Sequence, residues 1–166
     1  MRHPALLLLA LGACSSSSGL PFSVNTNLAT YPDILDDGGL NPSILVLVLA
    51  HQDTGPIDCA ASFDGGVDFV GEGISIDVVR FDGEALTSGT YPVVLNAGDA
   101  DGGPAAGIQQ VNSDAGITYV ATSGTVTLST VGSTISGTVD AQMAQLLPGT
   151  NHYDLSTSFS MPLCLP

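Results

Sequence analysis

The residues of this chain best suited to chemistry are acidic, and many of them sit beside glycine. Asp99-x-Asp101-Gly102-Gly103 puts two carboxylates on one tight turn, an arrangement that a hard cation such as calcium can use. A full EF-hand loop also needs a distal glutamate, and none follows at the proper spacing. Asp36-Asp37-Gly38-Gly39 is a weaker form of the same pattern. Asp-Gly pairs also build turns without any ion, because aspartate hydrogen-bonds its own backbone and glycine accepts positive φ. The sequence therefore reads as turns at both places. Calcium at Asp99 and Asp101 is the one cofactor it suggests.

Two histidines stand two residues before an aspartate, in His51-Gln52-Asp53 and His152-Tyr153-Asp154. On a strand such residues share a face, so each pair could offer two ligands to a transition metal. Both pairs fall near expected strand ends, where polar residues are ordinary, and no such metal centre is assigned. Serines abound, but no Gly-x-Ser-x-Gly elbow marks one as the nucleophile of a Ser-His-Asp triad. Paired carboxylates could hydrolyse a glycoside. Glu72 and Glu84, the only glutamates, each adjoin a glycine and read as turn residues. No catalytic residue is assigned, and a non-enzymatic role is expected.

The charge balance excludes several partners. The chain has 166 residues, 16 Asp and Glu, 2 Lys and Arg, and a formal net charge of −14. Both cations are arginines, Arg2 and Arg80, and there is no lysine. Nucleic acid is thereby excluded, since cationic side chains must displace counterions from phosphates. Phosphate-rich cofactors and Schiff-base chemistry are disfavoured for the same reason. Asp outnumbers Glu fourteen to two, which suits turns better than helices.

The first residues read as an export signal. Arg2 and His3 start it, and Ala5–Leu11 is an apolar run too short to span a bilayer. Leu11-Gly12-Ala13-Cys14 resembles the lipobox of bacterial lipoproteins, with the Ser15–Gly19 run as its tether. That resemblance implies cleavage after residue 13, lipidation of Cys14 and, from Ser15 after the cysteine, an outer-membrane destination. Acyl chains would anchor a soluble domain to the membrane. With Cys14 so used, Cys59 and Cys164 remain, and an exported compartment permits their pairing. Closing a loop of this size is worth up to about 4–5 kcal/mol in the chain-entropy model.

The elements that must position these residues read as strands. The clearest is a hairpin, residues 124–140, joined at Gly132-Ser133, where Gly at the first central position suits a type II′ turn. With that loop Thr130 faces Ile135, Leu128 faces Gly137 and Val126 faces Val139. Val126, Leu128, Ile135 and Val139 then share one face, and a one-residue slip mixes both faces. Tyr153, Leu155, Thr157, Phe159 and Met161 alternate inward with Asp154, Ser156, Ser158 and Ser160 outward. Ile44–Ala50 reads as a strand buried on both faces, and further strands are expected at 57–63, 67–70 and 117–122. Ile74–Phe81 alternates until Val79, where a bulge near Val78-Val79 would keep Val79 and Phe81 inside and Arg80 outside. Thr90–Leu95 directs Tyr91, Val93 and Leu95 inward, with Pro92 at an edge or strand start. Asn96–Gly107 reads as a long loop, and Gln142–Leu147 as a short helix or irregular link.

About nine strands at even spacing predict an all-β chain, a single antiparallel β-sandwich or partly closed β-barrel. The expected division is a signal at 1–13, a lipidated tether at 14–40 and the β domain at 41–166. Gly89-Thr90-Tyr91, the stretch Tyr119–Thr127 with its Ser123-Gly124-Thr125-Val126, Ile135-Ser136-Gly137-Thr138-Val139 and the terminal Ser158–Cys164 resemble a group of uncharacterised bacterial outer-membrane lipoproteins. That group implies no particular activity. The expected function is a cell-envelope structural or binding module with a protein or glycan partner. A calcium-dependent adhesion or ligand-binding domain is the alternative, and a carboxylate-based hydrolase a distant one.

Overall fold

Alternation between apolar and hydroxyl-bearing residues decides the architecture, because each strand must hide one face. The computed structural model describes residues 19–31, 41–53, 55, 59, 71–95, 101–146 and 149–165. Its elements are β1 (Thr26–Thr30), β2 (Ile44–Gln52), β3 (Gly71–Arg80), β4 (Gly89–Pro92), β5 (Pro104–Asn112), β6 (Ile117–Thr130), β7 (Thr134–Gln145) and β8 (His152–Cys164). The strand order is β4-β6-β5-β3-β2-β1-β8-β7, and an added β6–β7 ladder closes seven of the strands into a barrel. Closure decides between the two expected architectures in favour of the barrel. All the ladders are antiparallel except β1–β8, a parallel contact of Ala29 with Leu163 and Thr30 with Cys164.

Leu45, Leu47, Leu49, Ile74, Ile76, Val78, Val126, Leu128, Ile135, Val139, Leu155 and Met161 fill the interior, each under 5% exposed. Burying one such side chain is worth about 1.5–3 kcal/mol, so a register slip in any ladder would be costly. The barrel starts earlier than expected, since Thr26–Thr30, assigned to the tether, form β1. The expected strands at 57–63 and 67–70 lie outside the described residues except for Cys59, which stands in a turn, and the Asp36–Gly39 turn lies outside them as well. Among the described residues there is no helix, and so none long and apolar enough to cross a membrane.

The hairpin keeps its register but not its turn. Leu128 faces Gly137 and Val126 faces Val139, whereas Thr130 faces Ser136 across a bulge. The extra residue lengthens the loop to Val131–Ser133, and Gly132 has no positive φ, so the turn is not type II′. Val131 instead packs against the core, and the Leu163 N–H donates to the Ser133 carbonyl at 3.0 Å. Gly137 is required here for its size: a Cβ would meet the Thr127 carbonyl and lie 2.8 Å from Cζ of Phe159.

β6 is one long strand where a shorter strand and a separate hairpin arm were expected. Ile117–Val120 pair with β5, and Thr125–Leu128 pair with β4 on the same side. A bulge between Ala121 and Ser123 redirects the strand between these partners. Gly124 follows it with φ +135, where a Cβ would strike the Asp140 carbonyl and lie 2.6 Å from Cα of Ala141. Four further expectations are corrected. Pro104–Gly107 belong to β5 instead of a loop, and Gln142–Gln145 extend β7. β3 has no bulge at Val78-Val79, because Val78 pairs with Leu45 and Ala106 and Val79 with Ile44 and Ala105 in unbroken register. Val79 and Phe81 consequently face outward, Arg80 takes the inward parity at the barrel end, and Leu95 is 56% exposed.

Cys59 and Cys164 form a disulfide with their Cα atoms 5.1 Å apart. It ties the β2–β3 connection to the end of β8, across a separation of 105 residues.

Candidate functional site

One end of the barrel is lined differently from the rest. β2 ends there, β3 begins there, β5 ends and β6 begins there, and β7 passes to β8 there; the cross-strand pairs Gln52–Gly71, Asn112–Ile117 and Ala144–His152 mark the rim. Following each inward row one step beyond its last apolar residue gives a polar or aromatic side chain every time. Leu47 and Leu49 lead to His51, Ile76 and Ile74 to Glu72, Ala106 and Ile108 to Gln110, Ala121 to Tyr119, and Leu155 to Tyr153. Gln110 is buried and the other four are half-buried.

These side chains bond to one another. The Tyr153 hydroxyl donates to Oε1 of Gln110, and Nε2 of Gln110 donates to Oε1 of Glu72 at 3.0 Å. His51 is the cross-strand partner of Glu72, and its Nδ1 lies 3.2 Å from Oγ of Ser23. Ser23 is held by the strap that leads into β1. Asn25 donates its backbone N–H to the Ala50 carbonyl and exchanges two side-chain hydrogen bonds of 2.9 Å with the Gln52 backbone. Tyr119 and Tyr153 meet edge to face, ring centroids 5.3 Å apart and planes at 79°.

Burial first, then the neighbouring Tyr119 and the Glu72 carboxylate, push the Tyr153 phenol well above the ordinary tyrosine range. It is a neutral donor at physiological pH. The mouth thus combines one carboxylate, two tyrosine rings and an imidazole above an apolar interior. Convergent polar groups over an apolar base are the elements from which small-ligand sites are built, and the mouth is the candidate site on that ground.

A concavity lies on the outer wall, away from the mouth. Two hollows of about 170 Å³ each share Asp77, Val94, Leu95 and Gly107. They occupy a breach where the β5–β6 ladder stops at Gln109–Val120 and residues 93–94 wedge in, bonding Gly124 and Ala106. Desolvation raises the Asp77 carboxyl, and a 3.2 Å hydrogen bond from Ser75 opposes the shift. This wall offers one carboxylate, the Gln109 amide, the Phe81 ring and aliphatic side chains, whereas the mouth gathers polar and aromatic groups from five strands.

The residues singled out in the sequence do not converge as a set. Cys14 and Asp99 lie outside the described residues. Asp101 is exposed on the turn before β5, with φ 49. His152 and Asp154 stand on the outer face of β8, Asp53 lies in the turn after β2, and only His51 joins the mouth. Glu72, expected in a turn, is in β3, because the alternation of Ile74 and Ile76 continues back through it. Glu84 lies in the loop just after the Phe81-Asp82 turn, where its N–H donates to Asp82 at 3.1 Å. Among the described residues no three His, Cys, Asp or Glu side chains come together to hold a metal. Comparison with protein-family models, with curated proteins and with solved structures found no match to this chain.

Proposed function

We propose that this chain is a non-enzymatic binding module of the cell envelope, anchored to the outer membrane by lipid on Cys14, with the barrel mouth as its binding site. The observation that carries the binding role is the inward-facing set His51, Glu72, Gln110, Tyr119 and Tyr153, which sits where an all-apolar barrel end would serve stability as well. Buried polar groups cost free energy unless paired, and the Tyr153–Gln110–Glu72 hydrogen bonds hold the set in one arrangement. The anchoring part rests on the lipobox-like Leu11–Cys14 and the short apolar run before it.

Heteronuclear NMR of the protein against a fragment library of cationic, anionic and neutral members tests the binding role. At least one fragment should move the resonances of His51, Glu72, Gln110, Tyr119 and Tyr153 together. A library that shifts only the outer wall, or nothing, removes the mouth as the site. Intact mass measurement of the membrane-extracted protein tests the anchor, which requires an acylated N-terminal Cys14.

A further inference from the structure

Resting on the reading of the mouth as a binding site, we propose that its ligand is a small organic cation, an alkylated ammonium, seated on the Tyr119 ring with its charge facing Glu72. Tyr119 and Tyr153 meet edge to face at the mouth, both half-buried, and the face of an aromatic ring carries the negative lobe of its quadrupole. Tyr153 is committed as a donor to Gln110 and stays neutral, so it adds ring surface without adding charge. Glu72 spends Oε1 on Gln110, and among the described residues no hydrogen bond reaches its Oε2. One carboxylate oxygen beside two rings matches a diffuse, weakly hydrated cation. Calcium, by contrast, takes about six to eight oxygen ligands.

The long-range field points the same way. Arg80 is the only Lys or Arg among the described residues, and it ends β3 at the opposite end of the barrel from Glu72. Eight residues of strand separate the two, about 26 Å at the usual rise. Its guanidinium is already paired with Asp82, by bonds of 2.6 and 3.0 Å. Among the described residues no Lys or Arg therefore reaches the Glu72 carboxylate at the mouth. The chain's net charge of −14 repels anions and draws cations to the site.

The experiment compares choline with its uncharged isostere 3,3-dimethylbutan-1-ol by calorimetry and NMR titration on the unmodified protein. Choline should bind in the millimolar range or tighter, with shifts at Tyr119 and Glu72, and the isostere at least about fivefold more weakly. Tyr119→Leu should weaken choline by about fivefold or more, while Tyr119→Phe, which keeps the ring, stays within about twofold. Glu72→Gln should remove most of the preference for choline over the isostere. If the isostere binds at the mouth as well as choline, the cation inference is overturned and the binding role survives. If neither probe moves Tyr119 or Glu72, the inference is overturned, and the fragment screen then decides the binding role separately. The ligand pair is compared on the native chain, so a variant that fails to fold does not blunt the test.

Discussion

Replacing Gln110 with leucine should show how much the mouth network holds. Gln110 is 3% exposed, and its amide is used at both ends, accepting from Tyr153 and donating to Glu72 at 3.0 Å. Leucine fits the space but deletes both hydrogen bonds. A neutral bond contributes about 1 kcal/mol and one to a charged acceptor about 1.5–3 kcal/mol. Tyr153 and Glu72 are half-buried, so water recovers part of this, leaving a net loss of about 2–3 kcal/mol. For a domain of this size that lowers Tm by about 5–10 °C. The assay is urea unfolding of Gln110→Leu, Tyr153→Phe and the double variant. Because the two residues share a bond, the double variant should cost less than the sum of the singles by about 1 kcal/mol. Additivity within about 0.3–0.5 kcal/mol would refute the reasoning, since it would mean that the Tyr153–Gln110 contact contributes nothing.

Other perturbations follow from the same structure. Replacing Cys59 and Cys164 by serine should lower unfolding free energy by up to about 4.7 kcal/mol, the chain-entropy ceiling for a loop of this length, read as a shift in urea midpoint. A midpoint unchanged by the pair of substitutions contradicts the staple. Gly124→Ala forces a Cβ onto the β7 backbone at positive φ, and should cost about 2–4 kcal/mol by the same measurement. An unchanged midpoint there would mean the β6 bulge lies elsewhere. The raised Tyr153 phenol gives a signed pH effect: its folded-state pKa exceeds the unfolded one, so its contribution is full below about pH 10 and is lost as pH rises toward the folded value. Tyr153→Phe should flatten the fall in stability above pH 10, and Tyr31, also raised by burial, accounts for part of the remainder. An identical slope in the variant rejects the buried phenol.

The fold was legible wherever alternation was clean. Val126, Leu128, Ile135 and Val139, and Leu155 through Met161, took the faces their parity demands, since a strand with one buried side has no other register open to it. The turn at Gly132 was misread because a bulge two residues upstream altered the loop length, and bulges leave little mark on composition. β5 was missed because Pro104-Ala105-Ala106-Gly107 has little β propensity; its pairing with β3 overrides that weakness. The staple was readable because the lipobox reading set Cys14 aside and left Cys59 and Cys164 to pair. The mouth was half legible. Tyr153 was placed inside by its alternation, and the inward parity of Ile74 would also have reached Glu72 had its glycine neighbours not suggested a turn. Gln110 and Tyr119 carried no signal alone, because their role depends on five strands ending at one rim.

The central claim is that the barrel mouth, and no other part of the surface, receives a cationic ligand. The chain supplies its own control, since its four tyrosines divide into Tyr119 and Tyr153 at the mouth, Tyr91 within β4 with its hydroxyl donating to the Thr87 carbonyl, and Tyr31 after the far end of β1. The most direct measurement is a choline titration of protein carbon-13 labelled on its tyrosine rings. The account predicts saturable shifts for Tyr119 and Tyr153 with Tyr31 and Tyr91 unmoved. Four unmoved rings, or shifts led by Tyr31 or Tyr91, would contradict it.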